Sequence, residues 1–373
     1  MSRFKHLIST ALYGPAFAIL PSGRPKEAEE DLTVIFLASL GDLVVFTAAA
    51  EALRKNGRRI TLVCRQNRSI EEYAALTGLY GKVVPLRHGY LSRAANMIRL
   101  RKIRTETVII APVETHILSD LYALSVSARR RIFPDTVQGS FHPALKKRAD
   151  RRADVLVPVS AVNEQERYEQ YLRNAGLADG PIMPYGSGLS GAGQTPPSGE
   201  GTIAVFPGAG GGDRKRWPVE LFAEAVNGLR SGAGRRVAVC GTAEERGLGE
   251  ALCRLVPGAE NLCGRMTIAE LIRFFSGVCL TVSNDTGSAH LSAACGVPTV
   301  VVCGAWEYGR FYPNSRLPDH VRPVLPHTEN LGCVSCRSRG IECGSGPVAG
   351  CVESVTVREV LAACRDLLAE SEG

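Results

Sequence analysis

The sequence predicts an α/β protein made of two similar-sized domains, each a parallel sheet covered by helices. Three observations carry this. Apolar runs of strand length alternate with helix-period stretches along the chain, the signature of α/β units. Residues 180–201 hold seven Gly, four Pro and three Ser, and divide that alternation into two series. A chain of 373 residues is too long for one ordinary core and comfortable for two.

In the first series the pattern predicts strands over Leu32–Ala38, Arg59–Cys64, Val83–Leu86, Thr107–Ala111 and Asp154–Val159. Helices are predicted between them over Leu43–Asn56, Ser69–Thr77, Ser92–Ile103 and His116–Ser127. In the second series the predicted strands are Thr202–Phe206, Arg236–Cys240, Val278–Ser283 and Thr299–Cys303. The predicted helices are Pro218–Arg230, Glu244–Leu255, Ile268–Phe275, Ala289–Cys295 and a terminal Val355–Leu368. The domain plan is therefore an extension over 1–31, a first domain over 32–180, a linker over 181–201 and a second domain over 202–373. Two such domains are expected to face each other across a cleft at the carboxyl ends of their strands.

Hydrophobic residues make up 45% and charged residues 22%, a globular balance that argues against a mostly disordered chain. No run of 18 apolar residues exists, so no membrane-spanning helix is expected. Arg3, Lys5 and His6 precede an apolar stretch from Leu7 to Leu20, which Gly14-Pro15 interrupts. No cleavage site of the signal-peptide kind follows. The extension reads either as a frayed terminus or as a short segment that contacts a membrane or partner.

Charge is uneven. Residues 1–180 hold 27 Lys+Arg against 18 Asp+Glu, net +9, and the remainder is net −2. The clusters are Arg99, Arg101, Lys102 and Arg104, then Arg129-Arg130-Arg131, then Lys146, Lys147, Arg148, Arg151 and Arg152. Such asymmetry points the first half at something anionic, although any single cluster is also explained as a solvated helix face. Aromatic residues are only 6%, too few to interleave with these cations, so no nucleic-acid partner is expected.

Three strand-to-helix junctions carry candidate chemistry. At Leu37-Ala38-Ser39-Leu40-Gly41-Asp42-Leu43, Asp42 either caps its helix or takes a proton from an attacking hydroxyl. Phe206-Pro207-Gly208-Ala209-Gly210-Gly211-Gly212 runs into Asp213-Arg214-Lys215-Arg216-Trp217-Pro218. Exposed main-chain N–H groups beside Lys and Arg suit a diphosphate. This stretch is neither a Walker A loop nor a clean Gly-x-Gly-x-x-Gly, since Asp213 stands at the last position. At Val282–Leu291, Thr286, Gly287 and Ser288 can present donors to a phosphate, while Asp285, Thr286 and His290 have structural readings as caps and core.

Taken in order, the three junctions resemble one family. Gly41-Asp42 with Thr47 and Ala52-Leu53-Arg54 is similar to the first block of the ADP-heptose:lipopolysaccharide heptosyltransferases, glycosyltransferase family 9. Pro207-Gly208-Ala209 with Lys215-Arg216-Trp217-Pro218 is similar to the second. Asn284-Asp285-Thr286-Gly287, His290-Leu291, Ala293-Ala294 and Gly296-Val297-Pro298 resemble the third, with Cys303-Gly304 where the family usually has Phe-Gly. The resemblance implies a GT-B fold and metal-independent, inverting sugar transfer, with no cofactor beyond the nucleotide-diphosphate sugar itself. It implies Asp42 as general base and Lys215 facing the donor phosphates. Gly208, Ala209 and Arg216 fall in the same donor block. Asp285, Thr286, Gly287 and His290 form the phosphate-side loop, Met266 holds adenine through main chain, and Glu244 or Glu245 contacts the ribose. The implied partners are a nucleotide sugar, ADP-heptose, and an anionic glycolipid acceptor of the lipopolysaccharide core. The implied place is the cytoplasm, peripheral to the inner membrane. Departures are Ala48 where Pro is usual, the run Gly210-Gly211-Gly212, and the extension.

Two other classes compete: a catalytically silent GT-B-like binding protein, and a nicotinamide-dependent oxidoreductase, which the broken glycine fingerprint disfavours. A transferase using another nucleotide sugar is the nearer alternative. Of twelve cysteines, Cys64, Cys240, Cys279 and Cys303 read as small buried hydrophobes of a reducing compartment. Cys333, Cys336, Cys343 and Cys351 fall within 19 residues and are candidate zinc ligands, although only the first pair has metal-hook spacing. Structural cysteines are the preferred reading there.

Overall fold

A computed structural model describes residues 23–55, 57–113, 116–135, 143–186, 201–210, 212, 215–230, 235–305, 308–327 and 350–372, with Phe17, Leu20 and Leu189. Most of 1–31 and 181–201, together with Arg214, Cys333, Cys336 and Cys343, lies outside these residues. The chain forms two compact units, Met1–Ile182 and Met183–Gly373.

The first unit is one parallel sheet. Its strands are β1 (Glu30–Phe36), β2 (Ile60–Arg65), β3 (Lys82–Leu86), β4 (Arg104–Ile110), β5 (Ser127–Asp135) and β6 (Val155–Pro158). Their order is β3-β2-β1-β4-β5-β6. Helices α1 (Leu40–Arg54), α2 (Arg68–Thr77), α3 (Tyr90–Leu100), α4 (Ile117–Ser125), α5 (Pro143–Asp150) and α6 (Glu164–Asn174) cross between them. β1 is central, with Leu32 in register with Ile60 on one side and Thr107 on the other. Its apolar run is buried on both faces, as a helix-clad parallel strand must be. Local signals set the helix ends. Asn67 Oδ1 accepts the Ile70 N–H at 3.2 Å to start α2, and Gly78, at φ 63°, ends it in the left-handed conformation that glycine tolerates.

The second unit repeats this plan. Its strands are β7 (Thr202–Phe206), β8 (Arg236–Val239), β9 (Glu260–Asn261), β10 (Val278–Asn284), β11 (Thr299–Val302) and β12 (Val321–Val324), ordered β12-β11-β10-β7-β8-β9. Read from β9 this is the same 3-2-1-4-5-6 winding as the first sheet. Its helices are α7 (Val219–Arg230), α8 (Arg246–Leu255), α9 (Ile268–Phe275), α10 (Gly287–Ala294), α11 (Gly350–Glu353) and α12 (Val357–Glu372). The core gathers Val205, Trp217, Phe222, Leu280, Val302, Val360 and Leu367. α12 thus seals the sheet together with α7. Full burial of one such side chain is worth roughly 1.5–3 kcal/mol, so the terminal helix is integral to this unit.

Two expectations change. Arg129-Arg130-Arg131 is not a helix face but the first half of β5, whose Ile132, Phe133 and Pro134 are buried. Its cations sit at the amino edge of the sheet, where Arg129 reaches the Lys26 carbonyl and Glu106, and the Arg131 N–H donates to Asp154 Oδ2 at 2.8 Å. Of the extension, Phe17 and Leu20 pack into the first core, with the Arg148 guanidinium 4.4 Å from the Phe17 ring centroid. That part is folded rather than frayed. Among the described residues no helix is long and apolar enough to cross a membrane.

Candidate functional site

Both sheets reverse their winding between first and fourth strands, β1 and β4 in one, β7 and β10 in the other. There the outgoing loops diverge to opposite faces and leave a crevice at the carboxyl ends, the usual ligand position of such sheets. All three junctions singled out in the sequence stand at these points. Leu37–Leu43 follows β1, Pro207–Ala209 follows β7 and Asp285–Ser288 follows β10.

In the second unit the loops are tied by Asn284, the fully buried last residue of β10. Its Nδ2 donates to the carbonyls of Pro207 at 2.9 Å and Gly208 at 3.2 Å, and its Oδ1 accepts the Trp217 N–H at 3.0 Å. Trp217, also buried, donates Nε1–H to the Val355 carbonyl at 3.0 Å. One amide therefore fixes the glycine loop to the start of α7. Lys215 and Arg216, both half-buried, are carried on that join, and the Lys215 N–H donates to the Gly212 carbonyl at 3.2 Å. Ala209 is buried beside Gly208.

The requirement for glycine at 208 is steric: a Cβ there would overlap Glu245 Oε1. Glu245 is held in place because its Oε2 accepts the Thr242 N–H at 2.8 Å. Its carboxylate is thus used within the loops. Glu244 beside it is exposed, and its carboxyl is held below the usual range by hydrogen bonds from its own main chain and from Thr242. Met266, half-buried, precedes Thr267, the N-cap of α9.

α10 opens at Gly287 behind Thr286, whose extended backbone makes it the N-cap but whose side chain caps nothing. The Thr286 hydroxyl lies 3.4 Å from Ser283 Oγ instead. The first main-chain N–H groups of α10 therefore carry the helix's positive end without a side-chain acceptor from Thr286. His290, one turn further on, is 3% exposed. Its Nδ1 lies 3.3 Å from the Tyr185 hydroxyl and 3.5 Å from that of Tyr312, and its Nε2 lies 3.8 Å from Asp285 Oδ1.

In the first unit Asp42 is a helix-end residue. Its Oδ2 accepts the Ser39 N–H at 3.0 Å and the Ser39 hydroxyl at 2.6 Å, closing the first turn of α1. Thr47, buried, donates to the Leu43 carbonyl and shares a 2.8 Å hydrogen bond with Tyr73. Sequence reasoning missed two arginines and a histidine of this edge. Arg65 ends β2, Arg93 lies in the first turns of α3, and His116 caps α4 by accepting the Leu118 N–H on Nδ1 at 3.2 Å. Desolvation, then Arg65 and Arg93, hold the His116 imidazole below its usual range. Their common signal is position: Arg65 is the last residue of β2, and Arg93 and His116 follow β3 and β4 by a few residues. Beneath them in α4, burial pushes Asp120 up to about 7, against the pull of Lys146 and with a push from Asp150.

Among the described residues no group of three or more His, Cys, Asp or Glu is placed to hold a metal ion. Cys351, the described member of the cysteine group, is buried.

The sequence model of glycosyltransferase family 9 (heptosyltransferase) matches residues 161–337. A lipooligosaccharide heptosyltransferase 2 of Haemophilus influenzae is 32% identical over 117 residues, 30% of this chain and 34% of that one. A protein of the same name from Campylobacter jejuni is 27% identical over 145 residues, 38% of this chain and 44% of that one. The chain thus spans between a third and a half of these relatives in sequence. In structure, E. coli ADP-heptose LPS heptosyltransferase II superposes with a TM-score of 0.67 at 19% identity, covering 92% of this chain and all of that one. A family 9 glycosyltransferase from Veillonella parvula gives 0.70 at 16%, covering 93% and 99%. At such identities these likenesses speak for the fold, which is GT-B: two Rossmann-like domains in one chain. Residues 161–337 of this chain thus resemble glycosyltransferase family 9 in sequence, and the fold is the one that solved members of that family share.

Proposed function

We propose that the chain is an inverting heptosyltransferase that moves the sugar of ADP-heptose onto a lipopolysaccharide core or related anionic glycan. The observation that carries this reading is the second switch point. There Asn284 braces a glycine loop and Lys215 beside a helix N-terminus with no side-chain cap, within the stretch that matches family 9. A solved E. coli heptosyltransferase WaaC, with ADP-2-deoxy-2-fluoro heptose, shares the fold at a TM-score of 0.63 and 17% identity.

In this reading the diphosphate lies against the main-chain N–H groups of Gly208, Ala209, Gly287 and Ser288, with Lys215 and Arg216 opposite its charge. Asp285 and His290 shape the loop. Glu244, exposed where Glu245 is engaged, is the better candidate for the ribose hydroxyls, and Met266 supplies main-chain contacts to adenine. The acceptor hydroxyl gives its proton to Asp42 and its oxygen bonds to the anomeric carbon. The bond from that carbon to the phosphate oxygen breaks on the opposite face, the nucleotide leaves with the electron pair, and the configuration inverts. Charge grows on the leaving phosphate, and Lys215 offsets it without a metal ion. Arg65, Arg93 and His116 suit an acidic acceptor. Work on a lipid-linked acceptor puts the enzyme in the cytoplasm, against the inner membrane.

Asp42 has a second reading, favoured by its two hydrogen bonds from Ser39: a helix cap alone. The experiment for the whole proposal is a thermal-shift panel of nucleoside diphosphates and their sugars. A ligand that binds only the folded chain at 100 times its Kd stabilises by ~2.7 kcal/mol. ADP and ADP-heptose are expected to raise the melting temperature above the other nucleotides. No response to any nucleotide removes the proposal.

A further inference from the structure

His290 lies in the donor loop by sequence, yet its ring is enclosed by protein. Tyr312 stacks on it, with centroids 5.9 Å apart and planes at 9°, and Phe311 meets it edge-on at 4.8 Å. Tyr185 closes a third side at 5.9 Å. The Tyr185 and Tyr312 hydroxyls are 3.1 Å apart, and both lie within hydrogen-bond reach of Nδ1.

Burial pushes both phenols up, so each keeps its proton. Two O–H groups around one ring nitrogen have one economical arrangement. One tyrosine donates to the other, and the second donates to Nδ1. Nδ1 then accepts and the ring proton sits on Nε2, with the Asp285 carboxylate 3.8 Å away, in electrostatic range but longer than a hydrogen bond. Tyr185 pays for its place: at φ 68° it holds the left-handed backbone that bulky residues avoid and that persists only where the surroundings over-determine it. It also stands three residues beyond Ile182, the last residue of the first unit.

Asp285 precedes the N-cap of α10 and is the carboxylate nearest that helix start in sequence. Turned toward the first N–H groups it would compete there with an incoming phosphate. We propose that Tyr185 and Tyr312 are positioning residues of the donor loop, whose hydroxyls hold His290 as the Nε2–H tautomer and so keep the Asp285 carboxylate on the ring and off the helix start. This rests on the donor reading of that loop. Neither tyrosine lies in the three sequence blocks, and the cluster adds to them a role for the segment that enters the second unit.

The test compares wild type, Tyr185→Phe, Tyr312→Phe and the double variant. Phenylalanine keeps the ring packing and removes only the hydroxyl. Nitrogen-15 NMR of the seven histidines, with His290→Gln to assign the signal, reads the tautomer. Calorimetric titration with ADP reads the loop. In wild type, Nδ1 should be bare and Nε2 protonated. In the double variant that preference should be lost and ADP should bind roughly 5- to 100-fold more weakly, the worth of a displaced buried hydrogen bond. Each single variant, which retains one hydroxyl, should fall between, and the singles carry the test if the double does not fold. An unchanged tautomer, or wild-type ADP affinity in a folded variant without either hydroxyl, overturns the proposal. A wild-type chain that binds no ADP overturns the donor reading itself, and is recognised because wild type and variants fail alike.

Discussion

The two switch points share a topology and differ in chemistry. In the second unit the loops after β7 and β10 are drawn together by one buried amide, lined by glycine, and backed by two tyrosines that stay protonated with a histidine between them. In the first unit the residues after β1, β2 and β4 carry charge, with Asp42 capping α1 and Arg65 and Arg93 near His116. In the proposed reading the same 3-2-1-4-5-6 winding serves two purposes. A site for a diphosphate needs main-chain donors that approach closely, hence glycine and a rigid brace. A site for an anionic glycan needs side chains that reach.

The largest effect should come from the first unit. Asp42→Asn keeps the size of the side chain and an acceptor for Ser39, but removes the proton acceptor. Transfer should fall by about 10²–10⁴-fold, the worth of a positioned general base. If Asp42 is only a cap, the variant should lose no more than ~1 kcal/mol of stability and transfer sugar at the wild-type rate. Melting temperature and turnover measured on one preparation separate these outcomes.

The next effect tests rigidity on the other side. Asn284→Ala leaves the Pro207 and Gly208 carbonyls and the Trp217 N–H without their shared partner. With ~1–3 kcal/mol for a buried group left unsatisfied, chemical denaturation should show a loss of about that size or more, and ADP affinity should fall with it. A variant as stable as wild type would mean that water replaces the amide and that the brace is not needed.

The smallest effect is a pH dependence confined to the first unit. Burial raises Asp120 from its ordinary value of 3.8 to about 7, with Lys146 and Asp150 its charged neighbours. Between those values the folded chain binds a proton that the unfolded chain has lost, so this carboxyl makes stability fall as pH rises from about 4 to about 7. Above that window the penalty is constant. Asp120→Asn should flatten that slope and stabilise the chain at neutral pH. A denaturation series in pH that is unchanged by the substitution would show that the Lys146 charge compensates the carboxylate fully.

What the sequence made legible follows the same divide. The proposed donor edge announces itself because its glycines and its Asn-Asp-Thr-Gly turn are consecutive residues at the ends of apolar strands. The sequence leaves Glu244 and Glu245 equivalent; in the fold Glu245 lies against Gly208 and accepts the Thr242 N–H, while Glu244 is exposed. The basic residues of the proposed acceptor edge are single residues on different strands and helices, with nothing in common but a place at a sheet edge. β5 was hidden by three arginines, and α6 by polar residues such as Glu164 and Gln165 that are nevertheless buried. β9 has two residues and β12 contains Arg and Pro, so neither carries a strand period. The partners of His290 lie 105 and 22 positions away, beyond any local pattern.

The division of labour between the two edges is tested most directly by titrating ADP-heptose into wild type, Asp42→Asn and Lys215→Ala under one set of conditions. The expected result is that Asp42→Asn binds the donor as wild type does. Lys215→Ala should bind more weakly and, when assayed, lose roughly 2–4 kcal/mol of transition-state stabilisation, the worth of a preorganised partner to growing charge. Equal loss of donor affinity in both variants, or none in Lys215→Ala, would contradict the assignment of donor to the second unit and base to the first.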